Sequence, residues 1–204
     1  MPKPKDEPNM LDDGYHDLPP GKLAAVVTFL QRRQPPSGTV ATPDGVTLER
    51  RDGMSAQAYR TLFRDLGEEW LWASRLALSD DALRAVLDAE GTELWVPVED
   101  GADLGMLELD FSVAGDCEVT FFGLSRAGMG RGLGRWLIEQ ALHKAFARGV
   151  KRVWLHTCTL DSPGAMGFYR KAGFEAYARK VEVFDDPRLA GRLPKEAGGW
   201  VPVL

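Results

Sequence analysis

The 204-residue sequence holds only two cysteines, Cys117 and Cys158, too few for a disulfide framework. Both stand in apolar segments, where a free thiol behaves as a small buried hydrophobe. Neither sits in a Cys–His partner motif, which argues against a nucleophilic cysteine. No apolar run is long enough to cross a bilayer. The opening residues, Met-Pro-Lys-Pro-Lys-Asp-Glu-Pro, lack the apolar stretch of a secretion signal, so a cytoplasmic location and no membrane partner are expected. Positive charge is not in excess. Lys and Arg number 25 against 30 Asp and Glu, a net −5 that disfavours nucleic acid as a partner and suits a cationic or amine-bearing one. Two common phosphate loops are missing as well. No Gly-Lys-Ser/Thr follows any glycine loop, and G-x-G-x-x-G fails from either start, since Gly128 leads to Leu133 and Gly130 to Arg135.

What the chain does have is a glycine ladder, Gly128-Met-Gly-Arg-Gly-Leu-Gly-Arg-Trp-Leu-Ile138, preceded by the apolar stretch Val119-Thr-Phe-Phe-Gly-Leu124. Alternate glycines strip one side of a turn and tolerate positive φ, so backbone N–H groups converge there ahead of a helix dipole. That is a cradle for an anion such as phosphate or pyrophosphate. The pattern x-x-Gly132-x-Gly134 after a strand and at a helix head resembles motif A of the GNAT superfamily of acetyl-CoA-dependent N-acetyltransferases. Met129 departs from the Arg or Gln usual at its position and removes one polar contact. About thirty residues on, Asp161-Ser-Pro-Gly-Ala-Met-Gly-Phe-Tyr-Arg-Lys-Ala-Gly-Phe174 resembles motif B of the same superfamily. Physically it reads as a short helix capped by Asp161 or Ser162, with Pro163 in its first turn and Gly173 ending it in the left-handed conformation.

Residues 1 to about 20, rich in proline and charge, read as a loose tail, and 21–204 as a single domain with enough apolar residues for one sizeable core. Strands are expected at 23–32 (where helix is the alternative), 46–50, 93–98, 104–111, 117–124, 152–158 and 175–184. Helices are expected from 55 to about 78 with a break near Gly67, at 79–89, after the ladder, and over motif B. Such alternation makes a mixed α/β sheet. The resemblance implies the GNAT fold: a mostly antiparallel twisted sheet, flanked by helices and splayed between its fourth and fifth strands.

By the same resemblance the chain transfers the acetyl group of acetyl-CoA, a co-substrate, to a primary amine within a ternary complex, with no metal. Coenzyme contacts map to Phe122, Gly123 and Leu124, expected as a strand bulge polarising the thioester, and to Met129, Gly130, Arg131, Gly132, Leu133, Gly134 and Arg135 at the pyrophosphate. Ser162 and Tyr169 complete the set. Tyr169 is the expected acid for the leaving thiolate, with Phe168 facing the core. Glu118, fourteen positions before Gly132, is the leading base; strand alternation puts it beside Thr120 and opposite Val119 and Phe121. Glu108, Asp110 and His156 are the other base candidates. For the acceptor, the chain offers Tyr59, Glu68, Glu69, Trp70, Trp72 and Arg75. Trp70 and Trp72, two apart, cannot share a helical face, so at most one lines a pocket. Small amines and protein amines both stay open, as does a homodimer. A catalytically silent acyl-CoA-binding module is the alternative from another functional class.

Overall fold

A computed structural model describes residues 11–204. In chain order the elements are β1 (Lys22–Arg32), β2 (Val46–Arg50), α1 (Ala56–Gly67), α2 (Asp80–Leu87), β3 (Thr92–Glu99), β4 (Ala102–Asp103), β5 (Gly105–Asp110), β6 (Asp116–Leu124), α3 (Leu133–Ala147), β7 (Arg152–Cys158), α4 (Ala165–Lys171) and β8 (Glu175–Asp185). Of the expected tail, residues 1–10 lie outside the described range, and 11–20 are exposed and irregular.

One sheet runs β2-β3-β5-β6-β7-β1-β8, with β4 paired to β3. The β6–β7 pair is parallel and the others are antiparallel. The ambiguous segment near residue 23 is a strand, and it pairs with β7 and β8, more than a hundred residues further along the chain. Its valines favour the pleated surface, and Leu30 is fully buried there.

The helices divide between the two faces. Helix α3 contributes Leu133, Trp136, Leu137, Ile138, Ala141 and Leu142 to a core that also holds Leu30, Leu109, Val119, Leu155 and Tyr169. Helix α1 packs Tyr59, Leu62, Phe63 and Leu66 on the opposite face, against Val96 and Met106. The helices α1 and α2 begin as their sequences require. Ser55 accepts from the Ala58 N–H and Ser79 from the Ala82 N–H, each relieving an orphan donor. As expected, α1 ends at Gly67, followed by short 3₁₀ turns at Glu68–Trp70 and Arg75–Ala77. A third cluster brings Leu71 and Leu160 against Leu193 and Ala197 of the C-terminal segment.

Candidate active site

Strands β6 and β7 stay paired for only three positions, Asp116–Arg152, Cys117–Val153 and Glu118–Trp154. Beyond Glu118 they part, leaving alternate backbone groups on the inner edge of β6 free of a sheet partner. In spatial order these are the fourth and fifth strands of the sheet, so the opening lies where the splay was expected.

The ladder lies at the end of β6. Among the described residues, no N–H from 130 to 135 donates to a protein acceptor; the first helical bond is from the Trp136 N–H to the Gly132 carbonyl. Gly130 and Gly132 have φ of +74° and +79°, and nothing lies within 4 Å of where their β-carbons would be. Six consecutive free donors at the head of α3, beside two glycines with open space where β-carbons would stand, are a donor set suited to a pyrophosphate. Arg126 and Arg135 are exposed beside it. The Arg131 side chain turns away to Glu99, donating to its Oε2 at 2.7 Å, so only its backbone faces the cradle. The Met129 side chain is half exposed and brings no polar atom beyond a thioether.

The expected bulge is displaced. Glu108 pairs with Phe121 and Leu109 with Val119, so Thr120 is the extra residue, three positions before Gly123. That shift reverses the alternation beyond it. Phe121 joins Glu118 on the α1 face instead of opposing it. Gly123 has another role, since a β-carbon there would stand 3.1 Å from the Trp72 ring and press on it.

On the α1 face, Glu118 lies opposite Asp110 on β5 and Trp154 on β7. Its carboxylate is 3.8 Å from Nδ1 of His156. Burial, then the Asp110 charge, pushes its pKa up to about 7, against a partial opposing pull from Arg75. Glu108 is different. It is 1 % exposed, accepts from the Tyr59 hydroxyl at 2.6 Å, and forms an ion pair with Arg75. Burial works against the Arg75 charge, but Glu108 overrides it and leaves the guanidinium pKa raised. Tyr59 and Arg75 are therefore committed to Glu108 beneath the sheet surface and leave the set of acceptor-contacting candidates. Of the two tryptophans, Trp72 reaches the opening. Its ring packs on Phe63 and Phe121, and its Nε1 donates to Asp161 at 3.5 Å. Trp70 and Glu68 are half-buried and Glu69 exposed on the turn after α1.

On the α3–α4 face, Tyr169 is the buried member of its helix and Phe168 the half-buried one, the reverse of expectation. The Tyr169 ring meets Phe122, Phe168 and Phe174 edge-on. Burial, with a smaller contribution from Asp161, raises its phenol pKa, so it is held protonated. Neither Asp161 nor Ser162 caps α4; the cap is Gly164, with no side-chain bond. Asp161 instead accepts from the Thr157 hydroxyl at 2.7 Å and the Cys158 N–H at 2.8 Å, closing the turn after β7. Ser162 is exposed at that turn. The helix ends as read from the sequence. Gly173 has φ +81°, the Phe174 N–H bonds the Tyr169 carbonyl, and the Gly173 N–H bonds that of Arg170. Cys117 and Cys158 are held as thiols by burial, Cys158 pushed up to about 11, which disfavours either as nucleophile.

The model of the Acetyltransferase (GNAT) family matches residues 57–174, more than half the chain. The chain belongs to the GNAT family. A search of curated proteins finds no match. Among solved structures, this GNAT chain is similar to the GCN5-related N-acetyltransferase of Sphaerobacter thermophilus, at 21% identity and TM-score 0.59, over 82% of this chain and 52% of that one. A putative GNAT-family acetyltransferase of Novosphingobium aromaticivorans matches at 18% identity and TM-score 0.57, over 82% and 68%. A GNAT acetyltransferase of Elizabethkingia anophelis with acetyl-CoA bound matches at 18% and 0.51, over 67% and 80%. These likenesses are of fold. The chain spans about half the length of the Sphaerobacter protein. The family is one of acetyltransferases, and acetyl-CoA is the co-substrate typical of it.

Two features of the site were not foreseen. One is the buried Tyr59–Glu108–Arg75 triad; a lone glutamate inside the apolar run Met-Leu-Glu-Leu was its signal. The other is Asp161 as the clamp of the β7 turn, which its reading as a helix cap concealed.

Proposed function

We propose that this chain transfers the acetyl group of acetyl-CoA to a primary amine by direct attack in a ternary complex. The observation that carries the reading is the position of Glu118. It is the last β6 residue paired to β7, at the mouth of the opening that leads to the glycine cradle, with a carboxyl pKa near neutrality.

The bound coenzyme supplies an activated acyl thioester. The chain supplies the rest. The free N–H groups of 130–135 bind the pyrophosphate, with Arg126 and Arg135 adding positive charge. The unpaired inner edge of β6, over Phe122, Gly123 and Leu124, offers backbone donors for a carbonyl oxygen that gains charge. Glu118, ionised above about pH 7, accepts a proton from the incoming ammonium, directly or through water. His156 and Asp110 stand beside it to tune that step. Glu118 belongs to the α1 face and Tyr169 to the α3–α4 core, so in this reading base and acid act from opposite sides of the sheet. Tyr169, a phenol kept neutral by burial, donates its proton to the departing thiolate, while Ser162 borders the coenzyme at the β7 turn. Trp72, braced on Gly123, forms the acceptor-side wall. Net charge −5 favours a cationic acceptor, whether a small amine or a protein amine. In this reading the protein works in the cytoplasm.

Free-thiol release measured across a panel of amines tests the proposal. Amine-stimulated release that falls at least tenfold in Glu118→Gln supports it. Tight coenzyme binding with no amine-stimulated release from any acceptor overturns it in favour of a silent acyl-CoA-binding module.

A further inference from the structure

Strand β8 ends the sheet, and its outer edge carries no strand partner among the described residues. It is eleven residues long, with nine of them exposed. Edges this long invite pairing with another chain unless something blunts them. One irregularity is present: Phe29 pairs with Ala178 and Leu30 with Ala176, so Tyr177 is an extra residue. The bulge limits regular pairing to the stretch Ala178-Arg-Lys-Val-Glu-Val-Phe184. On one face of that stretch lies an apolar stripe that no other described residue covers fully. Val181 and Val183 are 48% and 51% exposed, and Val26, opposite Val181 on β1, is 40% exposed.

We propose that two copies of this chain associate through β8, antiparallel and in register about Val181, joining their sheets into one. A two-fold axis perpendicular to the sheet keeps each face on its own side, so one residue must stand against its own counterpart. Of the four central residues, Arg179, Lys180 and Glu182 would each set like charge against like charge, which is unfavourable across a strand pair. Val181 is the uncharged one. With Val181 on the axis, Lys180 lies opposite Glu182 of the partner subunit, and the reciprocal pair repeats on the other side. Arg179 then faces Val183 of the partner subunit and Ala178 faces Phe184 of the partner subunit. The stripe of Val26 and Val181 continues across the seam and loses its exposure. The occupant is a second copy because the charge order Lys-Val-Glu is complementary to itself in this one register. None of this depends on the acyl-transfer reading.

Sedimentation of the full chain at micromolar concentration tests the proposal, with thermal melts to check that every variant folds. The wild type is expected to be a dimer. Lys180→Glu and Glu182→Lys each place like charges at two positions and should weaken association roughly tenfold or more. The double exchange, Lys180→Glu with Glu182→Lys, restores both pairs and should restore the dimer. Either single variant suffices if the other does not fold. A monomeric wild type overturns the proposal, including the case where removing residues 1–10 creates a dimer, because those residues then cover the edge. Single variants that stay dimeric, or a double exchange that stays monomeric, overturn the register.

Discussion

Glu118 is the residue whose ionisation the fold perturbs most usefully, and the perturbation shows in stability as well as in rate. Its folded pKa stands near 7 against an ordinary 4.5. The folded state therefore holds an extra proton between those values, and stability falls as pH rises through that window. Glu118→Gln lacks this loss. It should match the wild type below about pH 4 and exceed it by about 2 kcal/mol above pH 7, allowing for partial exposure. Denaturant titrations at the two pH values check this. In activity the sign is opposite, since the wild-type rate should climb with an apparent pKa near 7 while the Gln variant stays low and flat. Glu108 makes the contrasting case. Arg75→Met would leave its carboxylate buried without a counter-charge, at a cost of about 3–5 kcal/mol. Combining Arg75→Met with Glu108→Leu should recover most of that cost, because the buried charge goes as well. Melting temperatures of the single and double variants decide whether the triad is structural, as its burial indicates, or part of the chemistry.

At the scale of elements, strands and helices were legible wherever one chain segment decides its own state. The alternation in Arg152–Cys158, the serine caps of α1 and α2, and the glycine stop after α4 all acted locally. What escaped was decided by partners. The extra residue at Thr120 exists only relative to the β5 register, and the place of β1 between β7 and β8 rests on pairings across more than a hundred residues. Likewise Asp161 has the chemistry of a cap, but Thr157 and Cys158 claim its carboxylate first. Of the cradle, the glycine spacing was legible and the direction of the Arg131 side chain was not, since Glu99 comes from β3. The ladder's glycines are unequal, and this yields a prediction. Gly132 has φ +79°, so Gly132→Ala strains the turn by about 1–2 kcal/mol and distorts the donors around it. Gly134 lies inside α3, and a β-carbon there makes ordinary contact at 3.5 Å with Leu124 and Phe168. Gly134→Ala should therefore leave coenzyme affinity unchanged and add up to about 1 kcal/mol of helix stability. Calorimetric titration with coenzyme A should show weakened binding in the first variant alone.

Across the whole molecule, the GNAT match stops at Phe174, while the chain continues through β8 into a segment that returns to the site. Arg188 anchors that return. It is 1% exposed in its side chain, pairs with the equally buried Asp186, and donates to the carbonyls of Ala197 and Val201. The anchored segment brings Gly198 so close to Leu71 that a β-carbon would stand 2.7 Å from its side chain. Leu71 itself sits at φ +59°, a conformation that costs a leucine energy and persists because its surroundings hold it. The next residue is Trp72, the ring against Gly123 at the opening. A chain of contacts thus runs from the C-terminal segment, through a strained residue, to the acceptor-side wall, and it bypasses the glycine cradle. Arg188→Met should leave Asp186 buried without its partner and lower stability by about 3–5 kcal/mol. With the segment loosened, Leu71 can relax and Trp72 lose its brace. The amine KM should then rise several-fold while the dissociation constant for coenzyme A stays within twofold of the wild type. Steady-state kinetics with the best amine of the panel, beside a coenzyme titration of the same variant below its melting temperature, separate the two effects. Equal weakening of both ligands would place the loss in the sheet as a whole rather than in the wall that the C-terminal segment supports.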